Sequence, residues 1–275
     1  GAAHYLLPIV LLAATAAASQ TAAAAGLPLF YRTPVVLRFE DHRRAGLGRA
    51  LDFSFTREAT AVPLMISEFM PALRHYPIVF SDSERPVPLA VLGLRQGRNL
   101  FLEDNGSWRA DTYVPAYVRR YPFIITETPD PNTRLLSIDA ASERFVETLG
   151  EGVAGDLLFE SGGGPTQATR AAMEFCQAMH EDHLRTVAFS DALRGADLLT
   201  SNRADITFPN GDRYTLDGFR TIDEKAYRAL ATDKVAEWHK SGALDLVAMH
   251  LASQRNWQIL LDLNAAQAGA QSAAA

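Results

Sequence analysis

Cys176, His180 and His183 are spaced at i, i+4 and i+7, which places them on one face of a predicted helix. One thiol and two imidazoles are ligand types that zinc accepts, so this face is a candidate metal site. Apolar residues such as Met179 border the same face, and this spacing is equally typical of the buried stripe of an amphipathic helix. A metal would also need a fourth ligand and supporting partners, which no spacing in the chain supplies. We therefore favour a structural face and predict no cofactor.

A second polar group lies on the last predicted helix. His250, Gln254 and Trp257 share one side of it, with Arg255 and Asn256 beside them. This turn could donate hydrogen bonds to a ligand or to backbone carbonyls of a sheet. We favour a structural network and keep His250 and Arg255 as candidate binding residues.

One short pattern occurs twice in the chain. Residues 71–79 read Pro-Ala-Leu-Arg-His-Tyr-Pro-Ile-Val, and residues 115–124 read Pro-Ala-Tyr-Val-Arg-Arg-Tyr-Pro-Phe-Ile. Proline fits the first turn of a helix, whereas the second proline disfavours helical geometry at the tyrosine before it. Each copy therefore predicts a short helix that stops at Tyr76 or Tyr121 and is followed by a strand.

Tyrosine and arginine side chains are concentrated in this repeated pattern. Tyr76, Arg119, Arg120 and Tyr121 could form a recognition surface or polar lids on a core, since both roles favour these residue types. If the chain is a binding protein, we expect them to form an exposed patch.

Several function classes lack support in the sequence. The chain contains no Gly-x-Ser-x-Gly nucleophile elbow, phosphate-binding loop or dinucleotide fingerprint. A net charge of −6 argues against nucleic-acid partners, because such binding depends on a basic surface. Cys176 is the only cysteine, so an intrachain disulfide and a cysteine-only zinc site are impossible.

The pattern of the elements predicts an α+β fold. At 275 residues and 48% hydrophobic, the chain is long enough for a well-buried core. Residues 27–160 form a predicted β-rich half with antiparallel strands and short helices. The glycine run from Ser161 to Pro165 marks a break, after which residues 161–263 predict a helical half with a hairpin turned at Asn210-Gly211. The predicted strands of the first half are 34–39, 77–80, 88–94, 99–102, 123–126 and 135–139.

The two ends of the chain are alanine-rich. Residues 1–26 are an alanine-rich or flexible extension, a signal remnant, or a membrane or partner helix. A signal remnant would place the protein in the periplasm or at the surface. Without one, the sequence allows either a cytoplasmic or an envelope-associated location. Residues 264–275 predict a disordered tail.

Seven segments stand in a recognisable order along the chain: Val62-Pro63-Leu64, Glu68-Phe69, 76–80, 113–123, Leu158-Phe159, 216–219 and 250–257. Together they resemble the bacterial SapC family over roughly residues 30–260. The two halves together resemble one composite domain of that family. The chain does not resemble the multi-span permease of the same name, because it offers at most one weak hydrophobic span.

The resemblance implies no catalytic residue and no cofactor. The family name refers to the surface layer, and the resemblance implies a gene that lies near genes for outer-membrane receptors and flavin-dependent halogenase-like enzymes. We therefore expect a non-catalytic accessory or binding protein of a cell-envelope or uptake system, whose partner is an envelope protein or a second copy of the chain. The alternative is an enzyme or enzyme partner subunit, a hydrolase or a halogenase-associated tailoring component, that uses His180, His183 or His250.

Overall fold

The computed structural model describes residues 26–274 of the chain. The extension or signal remnant predicted for residues 1–26 therefore lies outside the described residues, apart from Gly26. Within the described part, antiparallel sheets and separate helices confirm the predicted α+β class.

Short strands dominate the chain before residue 160, and two long strands follow it. The strands are β1 (Pro34–Val36), β2 (Gly46–Gly48), β3 (Ala61–Pro63), β4 (Ile78–Ser81), β5 (Pro88–Val91), β6 (Phe123–Glu127), β7 (Arg134–Asp139), β8 (Phe145–Val146), β9 (Gly155–Leu157), β10 (Leu199–Thr207) and β11 (Arg213–Ile222).

The α-helices before residue 160 have four or five residues, and all but one of those after it are longer. They are α1 (Phe39–His42), α2 (Phe69–Ala72), α3 (Ala116–Arg120), α4 (Gln167–Gly195), α5 (Glu224–Arg228), α6 (Thr232–Ser241), α7 (Ala243–Ser253) and α8 (Trp257–Ala274).

The repeated pattern gives a short helix and then a strand in both copies, as predicted: α2 and β4 in the first, α3 and β6 in the second. In the first copy, however, the helix ends at Ala72 and turns follow it, so the predicted stop at Tyr76 is wrong. In the second copy the helix ends at Arg120, and Tyr121 takes φ −57° and ψ 134°, the extended geometry that a following proline favours.

The strand predicted at residues 99–102 does not form. The Asn99 side-chain oxygen accepts a hydrogen bond from the Phe101 backbone N–H at 2.9 Å, and this local bond favours a turn. Only Leu102 makes an isolated bridge, to Trp108.

One five-stranded sheet joins the two halves of the chain. Its order is β10-β11-β4-β5-β3, so a hairpin from the second half pairs with strands from the first. Within this sheet the halves meet in the antiparallel pairing of Phe219 with Ser81 and of Arg220 with Phe80. The predicted hairpin is confirmed, and Gly211 at its tip adopts φ +88°, a conformation that glycine accepts without strain. Two three-stranded sheets, β1-β7-β6 and β8-β2-β9, complete the β structure.

Helix α4 packs against β6 of one three-stranded sheet and against the turn Ile66–Glu68, which follows β3 of the five-stranded sheet. Thr166 caps its first turn by accepting a hydrogen bond from the Thr169 N–H. Its buried residues include Cys176, Met179 and His183, so the amphipathic stripe expected from the sequence is confirmed.

The tail behaves differently from the prediction. We expected disorder after residue 264, but α8 continues to Ala274. Alanine and glutamine have high helix propensity, so the alanine-rich end extends a helix whose first turns are anchored by the buried residues Leu260 and Leu263. None of the helices in residues 26–274 is long and apolar enough to cross a membrane.

Candidate functional site

The polar turn at the end of α7 is a structural network. His250 is fully buried, and its Nε2 accepts a hydrogen bond from the Ile222 backbone N–H at 3.1 Å. Ser253 Oγ accepts a bond from the Ile78 N–H at 2.9 Å, and Gln254 Nε2 donates to the Ile78 carbonyl at 2.7 Å. These side chains satisfy backbone groups at the ends of β4 and β11, which explains why polar residues are buried here.

The charge state of His250 follows from its burial. Burial lowers the pKa of His250 to about 4, and a backbone interaction with Ile78 opposes only part of that change. The imidazole is therefore neutral at pH 7. Its ring lies 5.2 Å from the Phe80 ring, inside the main core, so His250 is a core residue.

The same network continues into the first copy of the repeated pattern. Asn256 Nδ2 donates to the carbonyls of Leu73 at 2.5 Å and Tyr76 at 2.9 Å. Arg255, by contrast, is exposed, and its side chain makes no hydrogen bond or ion pair with another described residue. Of the two binding candidates on this turn, only Arg255 is thus accessible.

Tyr76 is buried completely, so the expectation of an exposed patch is wrong for this residue. Its hydroxyl donates to the Tyr113 carbonyl and accepts from Trp108 Nε1, the latter at 3.0 Å. Burial raises the pKa of Tyr76, which keeps the phenol protonated. Tyr76 is therefore a core residue whose hydroxyl group is hydrogen-bonded to its neighbours.

Glu68 is a buried acid that we did not single out from the sequence. Its Oε2 accepts from the Met65 N–H at 2.7 Å, and its Oε1 accepts from the Ala116 N–H at 2.6 Å and the Tyr113 hydroxyl at 2.7 Å. Burial raises the pKa of Glu68, and these three donors oppose the rise. Because Ala116 opens α3, the carboxylate fixes that helix to the turn before α2.

Tyr121 is also mostly buried, at 6% exposure, so it does not contribute to an exposed patch. Its hydroxyl donates to Asp139 Oδ2 at 2.8 Å. Asp139, a second acid that we did not single out, also accepts from the backbone N–H groups of Arg32, Thr33 and Ala141. The cluster attaches the first described segment to the end of β7.

The two arginines at the end of α3 have different surroundings. Arg119 is exposed and donates to the Val114 carbonyl at 2.9 Å and to the Tyr113 hydroxyl at 3.1 Å. Arg120 is partly buried, and its Nε donates to the Tyr31 hydroxyl at 3.2 Å. The Arg120 guanidinium carbon lies 4.7 Å from the centre of the Tyr117 ring, within the range of a cation–π interaction.

Arg120 lines a cleft of about 50 Å³ between α3, α4 and β6. The sheet order places β6 at an edge, so this side of the strand carries no neighbouring strand. The cleft is the candidate functional site, because it combines a cation with an apolar lining. Its apolar wall comes from Pro28, Pro63, Met65, Ile124, Ile125 and Met179.

Cys176, His180 and His183 line this same cleft, so the structure brings together the residues that the sequence spacing suggested. Among residues 26–274, however, no group of three such side chains is placed to hold a metal ion, so this geometry does not support the metal candidate. Burial raises the pKa of Cys176 to about 11, which favours the neutral thiol over the thiolate that binds zinc. Burial lowers the pKa of His180, and the charge of Arg134 lowers it further.

Tyr121 lines a separate, more polar cleft of about 250 Å³. Arg32, Asp52, Glu143 and Arg144 also contribute to it. The six binding candidates from the sequence thus lie in several places, and they do not form one surface.

Comparison with known proteins gives one match. A family model described as SapC matches residues 37–260. No curated protein and no solved structure matches the chain.

Proposed function

Because the chain belongs to the SapC family, we propose that it is a non-catalytic binding protein of a bacterial cell-envelope system, serving the surface layer or outer-membrane uptake. In this proposal the cleft around Arg120 receives a small ligand or a side chain of an envelope partner. The observation that carries the proposal is a guanidinium held between aromatic rings at the wall of an apolar cleft.

The arrangement of Arg120 supports a binding role. Its Nε donates to the Tyr31 hydroxyl, and the Tyr117 hydroxyl also interacts with the guanidinium. No acidic residue within 26–274 forms an ion pair with it. A charge in apolar surroundings is stabilised when it is paired. A ligand or partner that supplies the missing negative charge would therefore gain free energy on binding.

The envelope setting rests on the family name and on the expected neighbourhood of outer-membrane receptors. A neighbouring envelope protein or a second copy of the chain would be the partner.

The enzyme alternative would use His180, His183 or His250 with nearby carboxylates. The cleft lining includes His180 and His183 but not His250, which packs beside Phe80 in the main core. This separation leaves His180 and His183, and not His250, as the histidines that the enzyme alternative could use at the cleft.

Native mass spectrometry of the untagged protein from its native host tests the proposal. We expect the native mass to exceed the denatured mass by the mass of one bound small molecule. A complex with one defined partner protein is the other expected result. The Arg120→Gln variant should lose this species. Arg119→Gln is the matched control, since it removes the neighbouring charge outside the cleft and should keep the species.

A ligand or partner retained in full by Arg120→Gln would contradict the assignment of the cleft. Consumption of the bound molecule, with a product of changed mass, would contradict the non-catalytic role. Metal analysis of the same sample tests the predicted absence of a cofactor.

A further inference from the structure

The Arg120 guanidinium keeps N–H groups that a ligand could use, and its hydrogen bond to Tyr31 determines which ones they are. Because Nε donates to Tyr31, the remaining N–H groups of the guanidinium are those on its two terminal nitrogens. Two parallel N–H groups on one planar edge match the two oxygens of a carboxylate.

Aromatic rings hold the guanidinium in place. Its central carbon lies 4.7 Å from the Tyr117 ring centre and 5.6 Å from the Tyr31 ring centre. The Tyr31 hydroxyl is itself engaged, since it donates to the Phe123 carbonyl. The guanidinium is thereby positioned before a ligand arrives, which lowers the entropy lost on binding.

The rest of the cleft favours an apolar group. Met65, Ile124 and Met179 are among the residues of its wall. A volume of about 50 Å³ admits a carboxylate and the start of a chain. Exposed Met173 and Leu184 lie two turns before and one turn after His180, on nearly the same side of α4, so a longer chain that leaves the cleft past His180 would run towards one of them.

Among the residues that the structure describes, no negative charge at the cleft is paired with the positive charge of Arg120. Glu127 is the carboxylate among the described lining residues, and in the sheet it lies directly opposite Arg134 on β7. No ion pair joins Arg120 to an acidic residue within 26–274. The imidazoles of His180 and His183 and the Cys176 thiol complete its polar lining.

We propose that the cleft binds a monocarboxylate with an apolar chain, the carboxylate paired with the terminal nitrogens of Arg120 and the chain against Met65 and Met179. This inference rests on the binding role proposed above and specifies its ligand class.

Methionine methyl NMR on the full chain tests the proposal, because the chain has five methionines. Met65 and Met179 line the cleft, whereas Met70 and Met249 do not. Hexanoate should shift the Met65 and Met179 signals saturably and leave those of Met70 and Met249 unchanged. Hexanamide, which has nearly the same shape and no charge, should bind about 10- to 100-fold more weakly, the range expected for hydrogen bonds to a charged group.

Variants locate the charge that hexanoate uses. Arg120→Gln should remove the advantage of hexanoate over hexanamide, and Arg119→Gln should preserve it. Arg120→Lys keeps the charge but not the planar pair of donors, so it should retain only part of the advantage. The comparison of acid with amide on the unsubstituted chain stands even if a variant does not fold.

Equal binding of hexanoate and hexanamide at Met65 and Met179 would overturn the carboxylate assignment and leave the binding role intact. Preference for hexylammonium would overturn it as well and would point to Glu127. If none of the three compounds moves these signals, the ligand class is wrong, and the native mass comparison decides separately whether the cleft holds another ligand or a partner.

Discussion

Arg120 and Tyr121 are neighbours in the chain, yet they line two different clefts. Arg120 is the last residue of α3, and Tyr121 has already left helical geometry because Pro122 follows it. This change of direction sends the guanidinium towards Tyr117 and Tyr31 and the phenol towards Asp139. One short sequence pattern thereby supplies both a candidate ligand contact and a structural anchor.

Replacing Glu68 with glutamine should destabilise the fold. The new amide nitrogen cannot accept the bonds that now come from Met65, Ala116 and Tyr113, so at least one buried donor loses its partner. We expect a loss of about 1–3 kcal/mol in the free energy of unfolding, measured by urea denaturation. Glu58→Gln, at an exposed position, should change it little. Equal stability of the Glu68→Gln variant would show that the carboxylate is not needed to hold α3.

The burial of His250 should make the protein sensitive to acid. The folded pKa of about 4 lies below the ordinary value of 6.5, so between these two pH values the unfolded state binds more protons and stability rises with pH. This contribution is fully present above pH 6.5 and is lost as the pH falls to 4. It amounts to about 3 kcal/mol, from about 1.4 kcal/mol for each pKa unit.

Urea midpoints measured from pH 4 to pH 7 check this dependence. His250→Gln offers an acceptor for the Ile222 N–H but does not titrate, so its stability should fall less steeply with acid. His239→Gln removes an exposed imidazole and should leave the slope unchanged. An identical slope in the His250 variant would contradict the assignment.

Ser253→Ala should destabilise the five-stranded sheet locally, at the start of β4. The Ile78 N–H would lose its acceptor in a fully buried environment, at a cost of about 1–3 kcal/mol. Hydrogen exchange should show faster exchange of the Ile78 amide. The Ile222 amide, which donates its hydrogen bond to His250, is the internal reference, and its exchange rate should change less. Unchanged exchange at Ile78 would mean that another acceptor replaces the serine.

Tyr121→Phe should weaken the attachment of the first described segment. It removes the hydroxyl that donates to Asp139 at 2.8 Å, while the three backbone donors to that carboxylate remain. We expect a loss of about 1–2 kcal/mol in thermal or urea unfolding, near the range for one hydrogen bond to a charged group. Tyr227→Phe removes a hydroxyl on α5 that makes no hydrogen bond to another described residue, so its effect should be smaller.

Cys176 should react slowly while the protein is folded. Its pKa of about 11 leaves little thiolate at pH 8, and the thiolate is the reactive form. Alkylation by iodoacetamide, followed by mass spectrometry, should be slow in buffer and fast in urea, and the single cysteine gives one adduct. The charge of Arg120 lowers the Cys176 pKa, so Arg120→Gln should slow the reaction further. Faster alkylation in a folded Arg120→Gln variant would contradict this coupling.

The local rules of the sequence predicted much of the fold. Proline positions gave the short helices and the strands after them, the Asn-Gly pair gave the hairpin, and the spacing of Cys176, Met179 and His183 gave the buried face of α4. These features depend on the backbone geometry of a few neighbouring residues. The types of those same residues restrict that geometry, so the sequence is enough to predict it. The helical tail was missed because a polar, alanine-rich end allows both helix and disorder, and anchoring of its first turns decides between them.

The sequence by itself determined the α+β class, the positions of most elements and the family, because periodicity, turn residues and segment order are properties of the chain. Only the tertiary structure decided what the polar side chains do. It buried Tyr76 and His250, gave Glu68 and Asp139 their hydrogen-bond donors, and left Arg120 beside an apolar cleft. Most partners of these groups lie tens to more than a hundred residues away in the chain, for example 107 residues between Arg32 and Asp139, and sequence spacing carries no information about such contacts.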